Sequence, residues 1–156
     1  MISRIRQDAR TADELHERSR QLLVDSVRAG AAAGLSQRQI SEAIGRSQPE
    51  VSRLLRFHGR TELGRALEGN RAALLKLFSS AGVRNVRVFG SVSRGDDGPD
   101  SDIDLLVDFT TPPSLFALAR LEAAASVIVG AAVDIVPGNS VRKNIAPSVL
   151  AEAIPL

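Results

Sequence analysis

The stretch that decides the reading is Val88-Phe-Gly-Ser-Val-Ser-Arg-Gly-Asp-Asp-Gly-Pro-Asp-Ser-Asp-Ile-Asp-Leu-Leu-Val-Asp108. Alternation with period two places Ile103, Leu105, Val107 and Phe109 on one face of a strand, and Asp102 and Asp104 together on the other. Two carboxylates side by side repel, and the pair is costly unless a positive charge lies between them. A hard divalent cation with oxygen ligands, Mg²⁺ first of all, supplies that charge. Upstream, Gly90-Ser91 ends a preceding strand and opens a turn into a short helix. Glycine lets backbone approach a phosphate closely, and the serine hydroxyl and following amides can donate to it. A phosphate cradle and a carboxylate pair on neighbouring strands together describe nucleotidyl transfer.

Two simpler explanations of the acidic run were weighed. A calcium loop starting at Asp100 needs glycine sixth and glutamate twelfth, where Leu105 and Thr111 stand, so it fails. A solvated acidic turn accounts for Asp96, Asp97 and Asp100, which receive no role. It accounts badly for Asp102 and Asp104, because the Ile, Leu, Leu and Val around them mark an interior strand.

The spacing Gly90-Ser91, ten residues, Asp102-Ile-Asp104 resembles the signature of the polymerase-β-type nucleotidyltransferase superfamily. With Arg94-Gly95 and Ser101-Asp102-Ile-Asp104-Leu-Leu-Val it is similar to the small MNT-type members. The resemblance covers about residues 65–156, including Val133-Asp134-Ile-Val136 and the closing Ala153-Ile-Pro-Leu156. It implies that Asp134 is the third carboxylate of a catalytic and metal-binding set with Asp102 and Asp104, able to act as base toward an incoming hydroxyl. On its own, Asp134 is one acidic residue between apolar neighbours. The resemblance further implies one or two Mg²⁺ and an NTP, ATP first, held at Gly90, Ser91 and Arg94. Arg94 either neutralises phosphate charge or pins the acidic loop; the sequence leaves both open.

Earlier in the chain the pattern is helical. Thr11 to Ala33 reads as a helix with Leu15, Leu22, Leu23 and Val27 on roughly one side, stopped by Gly34. Ser36 with Gln39 forms a capping box for a second helix that buries Ile40, Ala43 and Ile44 and ends at Gly45. Ser47 with Glu50 forms another, with Pro49 in the first turn and Val51, Leu54, Leu55 and Phe57 inward. Leu35 to Leu55 resembles the helix-turn-helix of bacterial repressors, although Ser41 stands where that family usually has alanine. In such a unit the second short helix enters the major groove. Gln48, Ser52, Arg53 and Arg56 then point to bases or phosphates, and Arg38 and Arg46 to the backbone. A single module binds weakly, so a homo-oligomer on repeated operator DNA is implied.

The predicted fold class is therefore α+β, with an all-α helix-turn-helix domain over residues 1–60 and a small α/β nucleotidyltransferase domain with a short mixed sheet over 61–156. The boundary falls at His58 to Thr61. In the second domain, one or two helices are expected over Glu62–Ser80, a helix over Ser114–Ile128, and helix within Asn139–Leu156 at least around Pro147–Ala153. Strand is expected over Val83–Phe89, Ile103–Phe109 and Ala132–Val136. Charge divides likewise: residues 1–60 hold 11 Arg against 7 acids, and residues 61–156 hold 9 Lys or Arg against 11 acids. A basic half is drawn to a polyanion, and an acidic half can hold cations.

Composition narrows the classes. With no cysteine and two distant histidines, His16 and His58, thiol chemistry and a His/Cys zinc site are excluded. The longest nearly apolar run, Ala123 to Val133, is 11 residues, too short for a bilayer, and the start has no secretory apolar core. A cytoplasmic protein without a membrane is expected.

The domain is minimal, so its acceptor is brought by a partner or is itself macromolecular. Resemblance to MNT-type proteins implies an antitoxin paired with a HEPN-type ribonuclease toxin, which it would modify by adding AMP to a tyrosine, while the helix-turn-helix represses its operon. The helix from Ser114, with only Arg120 and Glu122 as charges, is either largely buried or covers an interface. Two alternatives remain. One is nucleotide transfer to RNA, as in tRNA-modifying relatives acting as toxins, mildly disfavoured by the lack of Trp and Tyr. The other is a transcription factor whose second domain only senses nucleotide.

Overall fold

The computed structural model describes residues 1–141 and 146–156 and divides into two compact units, Met1–Leu55 and Arg56–Leu156. No helix among the described residues is long and apolar enough to cross a membrane.

The first unit is three helices: α1 (Ile2–Ala32), α2 (Gln37–Ile44) and α3 (Gln48–Leu54). Val27, Ile40 and Val51 are buried together, with Leu23, Ala31, Ile44, Leu54 and Leu55 packed around them. Ser36 caps α2 as the sequence requires: its Oγ accepts from the Gln39 amide at 3.3 Å, and its own amide donates to Gln39 Oε1 at 2.9 Å. Gly45, at φ +65°, supplies the left-handed residue between α2 and α3.

Several expectations are corrected here. Helix α1 starts at Ile2, not Thr11, because the first ten residues are mostly good helix formers and nothing in them breaks the run. Its inward face carries Leu23, Val27 and Ala31, which leaves Leu15 and Leu22 exposed, and Ala43 of α2 is exposed too. At α3 only half of the expected box forms: Ser47 Oγ accepts from the Glu50 amide at 3.4 Å, but the Glu50 carboxylate pairs with Arg46 at 3.5 Å.

The second unit begins where α3 stops. Phe57 was expected to face inward from the third helix; it is instead buried in the second unit's core, and its amide donates to the Pro155 carbonyl at 2.7 Å. The division therefore falls after Leu55, five residues before the expected boundary. Two helices follow within the expected Glu62–Ser80 stretch, α4 (Glu62–Gly69) and α5 (Arg71–Ser80). Next come β1 (Val83–Phe89), α6 (Gly90–Arg94), β2 (Ile103–Phe109), α7 (Leu115–Val129), β3 (Val133–Pro137), a 3-10 turn (Gly138–Ser140), α8 (Ala146–Glu152) and a short β4 (Ile154–Pro155). Within Asn139–Leu156 the helix expected around Pro147–Ala153 is α8, residues 142–145 lie outside the described residues, and Ile154–Pro155 is strand.

The sheet is mixed, in the order β3-β2-β1-β4. Strand β1 runs antiparallel to β2 and β4, and β2 parallel to β3. The β2–α7–β3 crossover supplies the parallel pair. One face of the sheet carries Val86, Val88, Ile103, Leu105, Val107 and Ile135 against Leu67, Leu74 and Phe78 of α4 and α5 and against Leu121, Ala125 and Val129 of α7. Burial of these side chains removes them from water at about 1.5–3 kcal/mol each, and this core fixes where the strands end.

Helix α7 has a second task. Its Glu122 Oε1 accepts from the Ile135 amide at 3.1 Å, and its Ser126 Oγ from the Val133 amide at 3.0 Å, so two side chains satisfy the outer amides of edge strand β3. Its other side leaves Leu115, Phe116 and Val127 exposed, so the helix is only partly buried.

Candidate active site

The sheet register brings the acidic residues level. Asp104 is the Cα partner of Phe89 across β1–β2 and of Asp134 across β2–β3. Asp134 thus stands beside Asp104 on the adjacent parallel strand, and Asp102 lies two residues before Asp104 on the same side of its strand. Asp104 is half-buried, whereas Asp102 and Asp134 are exposed.

Directly after Phe89 the chain turns at Gly90, whose φ is +71°. A Cβ placed on Gly90 would collide with the Asp104 carboxylate, whose Cγ would lie 3.2 Å away. Both the backbone conformation and the lack of space demand glycine there. Buried Val92 anchors α6 to the core, and Ser93 Oγ donates to the Gly90 carbonyl at 2.8 Å, tying the turn together. Ser91 is half-buried, and its hydroxyl makes no hydrogen bond among the described residues.

The electrostatics are those of a site with excess negative charge. Asp104 titrates above the ordinary aspartate range, first because of burial and then because of Asp134 and Asp102, while Arg94 opposes the shift. Arg94 Nε donates to Asp96 Oδ2 at 3.1 Å, and its Nη1 to Glu152 Oε2 at 3.0 Å. These partners raise the Arg94 pKa, Asp96 most of all. Both alternatives for Arg94 gain content: it pins the loop through Asp96, and its charge also reaches Asp104.

Among the described residues no three carboxylate or imidazole groups stand close enough to form a ready ligand cluster. The donor set is oxygen only, the chemistry that suits Mg²⁺. The residues fit the ion.

Glu152 and Asp96 are functional neighbours that the sequence reading missed. Glu152 lies 58 residues from Arg94, and no local pattern signals the pairing. Asp96, two residues from Arg94, is visible only once the turn at Gly95 is known.

In the first unit, Arg38 and Arg46 are exposed and pair with Glu42 at 3.3 Å and Glu50 at 3.5 Å. Such exposed pairs are weak. Gln48 and Arg53 are exposed and Ser52 is half-buried on α3. Arg56 departs from its expected place: α3 ends at Leu54, so Arg56 belongs to the second unit, near Arg71, whose pKa is lowered first by burial and then by Arg56.

Comparison with known proteins agrees with this geometry. Residues 71–155 match the nucleotidyltransferase domain family. The protein adenylyltransferase MntA of Thermococcus cleftensis is 44% identical over 73 residues, 47% of this chain and 74% of the relative. A Methanocaldococcus jannaschii protein named as an adenylyltransferase is 32% identical over 81 residues, 52% of this chain and 87% of the relative. A solved structure described as a minimal nucleotidyltransferase superposes with a TM-score of 0.55 at 42% identity, covering 62% of this chain and 98% of that one. A toxin–antitoxin structure solved with AMP-PNP shares the fold, with a TM-score of 0.50 at 23% identity over 55% of this chain and 71% of that one. With a glycine turn pressed against a strand-borne aspartate pair, and with relatives that cover most of their own length, this chain belongs to the nucleotidyltransferase domain family and is of its minimal, MNT type.

Proposed function

We propose that the chain is the antitoxin of a toxin–antitoxin pair: a Mg²⁺-dependent protein adenylyltransferase that transfers AMP from ATP to a hydroxyl of a HEPN-type toxin and represses its own operon through α2 and α3. The observation that carries the transferase part is the register of Asp104 between Phe89 and Asp134, which sets three acidic positions beside the Gly90 turn. The adenylyl group and the protein acceptor are supported by the name of the 44% identical relative. The toxin is supported by resemblance to the MNT type alone, and the protein is placed in the cytoplasm on the same ground.

In this reading the triphosphate lies along the turn, with the Gly90 backbone and the Ser91 hydroxyl as its cradle. Asp102, Asp104 and Asp134 would hold Mg²⁺, which would supply positive charge against that developing on the phosphates. The acceptor oxygen attacks the α-phosphorus in line. A new P–O bond forms, the bond from the α-phosphorus to the bridging oxygen breaks, and pyrophosphate leaves. The hydroxyl proton passes to the Asp134 carboxylate, the exposed member of the pair. Arg94 holds the loop through Asp96 and turns toward the phosphates when they arrive. Exposed Leu115, Phe116 and Val127 of α7 are the surface this reading assigns to the toxin.

Incubation of the chain with Mg²⁺, a candidate toxin and ATP, CTP or GTP labelled at the α-phosphate tests it. Label on the toxin from ATP is the expected result. Label on added RNA instead, or no label from a chain that still shifts operator DNA, would replace the proposal with an RNA-directed enzyme or a nucleotide sensor.

A further inference from the structure

Residues 2–20, the first 19 of the 31 residues of α1, are exposed throughout. In proteins most helical stability comes from packing an apolar face against a partner. The segment carries such a face. Ile5, Asp8, Ala12, Leu15, Ser19 and Leu22 recur with alternating spacings of three and four, the seam of a left-handed two-helix supercoil. Ile5, Leu15 and Leu22 are each at least 60% exposed, and none belongs to the core formed by Val27, Ile40 and Val51.

We infer that this seam is covered by a second copy of the chain, running antiparallel. The orientation follows from the order of residues along it. In a parallel pair each seam residue would meet its own copy, setting Asp8 against Asp8 and Ala12 against Ala12. That pairing puts like charges in contact and leaves a gap at the alanine layer. In an antiparallel pair with Ile5 opposite Leu22 of the second copy, Ala12 falls opposite Leu15 and Asp8 opposite Ser19. Small then meets large, and the aspartate meets a hydroxyl. The flanks agree. Arg4 and Asp25 lie on the same side of the seam, and only the antiparallel arrangement brings them level, at both ends by symmetry. The resulting seam is about 26 Å long.

The full chain is therefore expected to sediment at twice its 16.6 kDa mass. Leu15→Glu, at an exposed position that leaves the first unit's core untouched, is expected to return it to a monomer. A wild-type monomer, or a dimer indifferent to Leu15→Glu, would overturn the inference and leave the stripe to a different protein. Because the chain has no cysteine, orientation is read by oxidation. A mixture of the Ile5→Cys and Leu22→Cys chains is expected to form a mixed disulfide dimer, while Ile5→Cys alone stays uncrosslinked. A disulfide homodimer of Ile5→Cys alone would reverse the orientation and sink the antiparallel arrangement.

Discussion

The carboxylate of Asp104 occupies the space that a side chain at Gly90 would need. The Gly90 turn and strand β2 are thus in direct contact. Gly90→Ala is expected to fold, since the turn is at the edge of the core, but to lose transfer by roughly 100-fold or more through displacement of Asp104. Near-normal turnover by Gly90→Ala would refute this contact as a constraint on catalysis.

The elevated pKa of Asp104 predicts a dependence of stability on pH. Folding favours the protonated carboxyl, so the group's contribution is fully present below its unfolded value and is lost as pH rises through the folded one. At neutral pH the ionised Asp104 is a cost. Asp104→Asn should raise Tm at pH 7, by up to about 1 kcal/mol of stability after solvent screening, and the gain should vanish below about pH 4. Added Mg²⁺ should stabilise the wild type and leave Asp104→Asn unchanged. Equal Mg²⁺ responses would remove Asp104 from the metal site.

Arg94 is shared between Asp96 and Glu152 at the surface. Exposed pairs of this kind contribute little to stability. The informative measurement is steady-state kinetics. If Arg94 serves the phosphates, Arg94→Ala raises KM for the nucleotide, while Glu152→Gln, which releases the guanidinium, leaves KM the same or lower. Parallel losses in both variants would mean that Arg94 only pins the loop.

Glu122 reaches the catalytic strand from behind, accepting from the amide that follows Asp134. Glu122→Ala strands that amide and should cost about 1–3 kcal/mol and lower kcat. Glu122→Gln keeps an acceptor oxygen and should restore most of both. A Gln variant as impaired as Ala would show that charge, and not the hydrogen bond, matters there.

Much of this was legible in the residues themselves. Alternation at 102–109 and the Gly90-Ser91 turn are local signals, and the strands appear where they were expected, with Asp104 on the half-buried side. The caps at Ser36 and Ser47 and the stop at Gly45 are local as well. What escaped depends on partners distant in sequence. Phe57 reads as the end of a helix but answers to Pro155 of the last strand. Leu15 and Leu22 read as core because periodicity reports an apolar stripe without saying what covers it. Leu106 has the same pattern as its buried neighbours on a face that alternation assigns to the carboxylates, yet it too is fully buried. The Glu152 contact with Arg94 has no signature at all.

The ends of the sheet decide how such a molecule can meet others. On one side, the outward amides of Val133 and Ile135 are already spoken for by Ser126 and Glu122. On the other, β4 is two residues long and includes Pro155, which has no amide to offer. Neither margin can template a further strand, so the protein is guarded against ribbon-like self-association, and encounters with other chains fall to its helices.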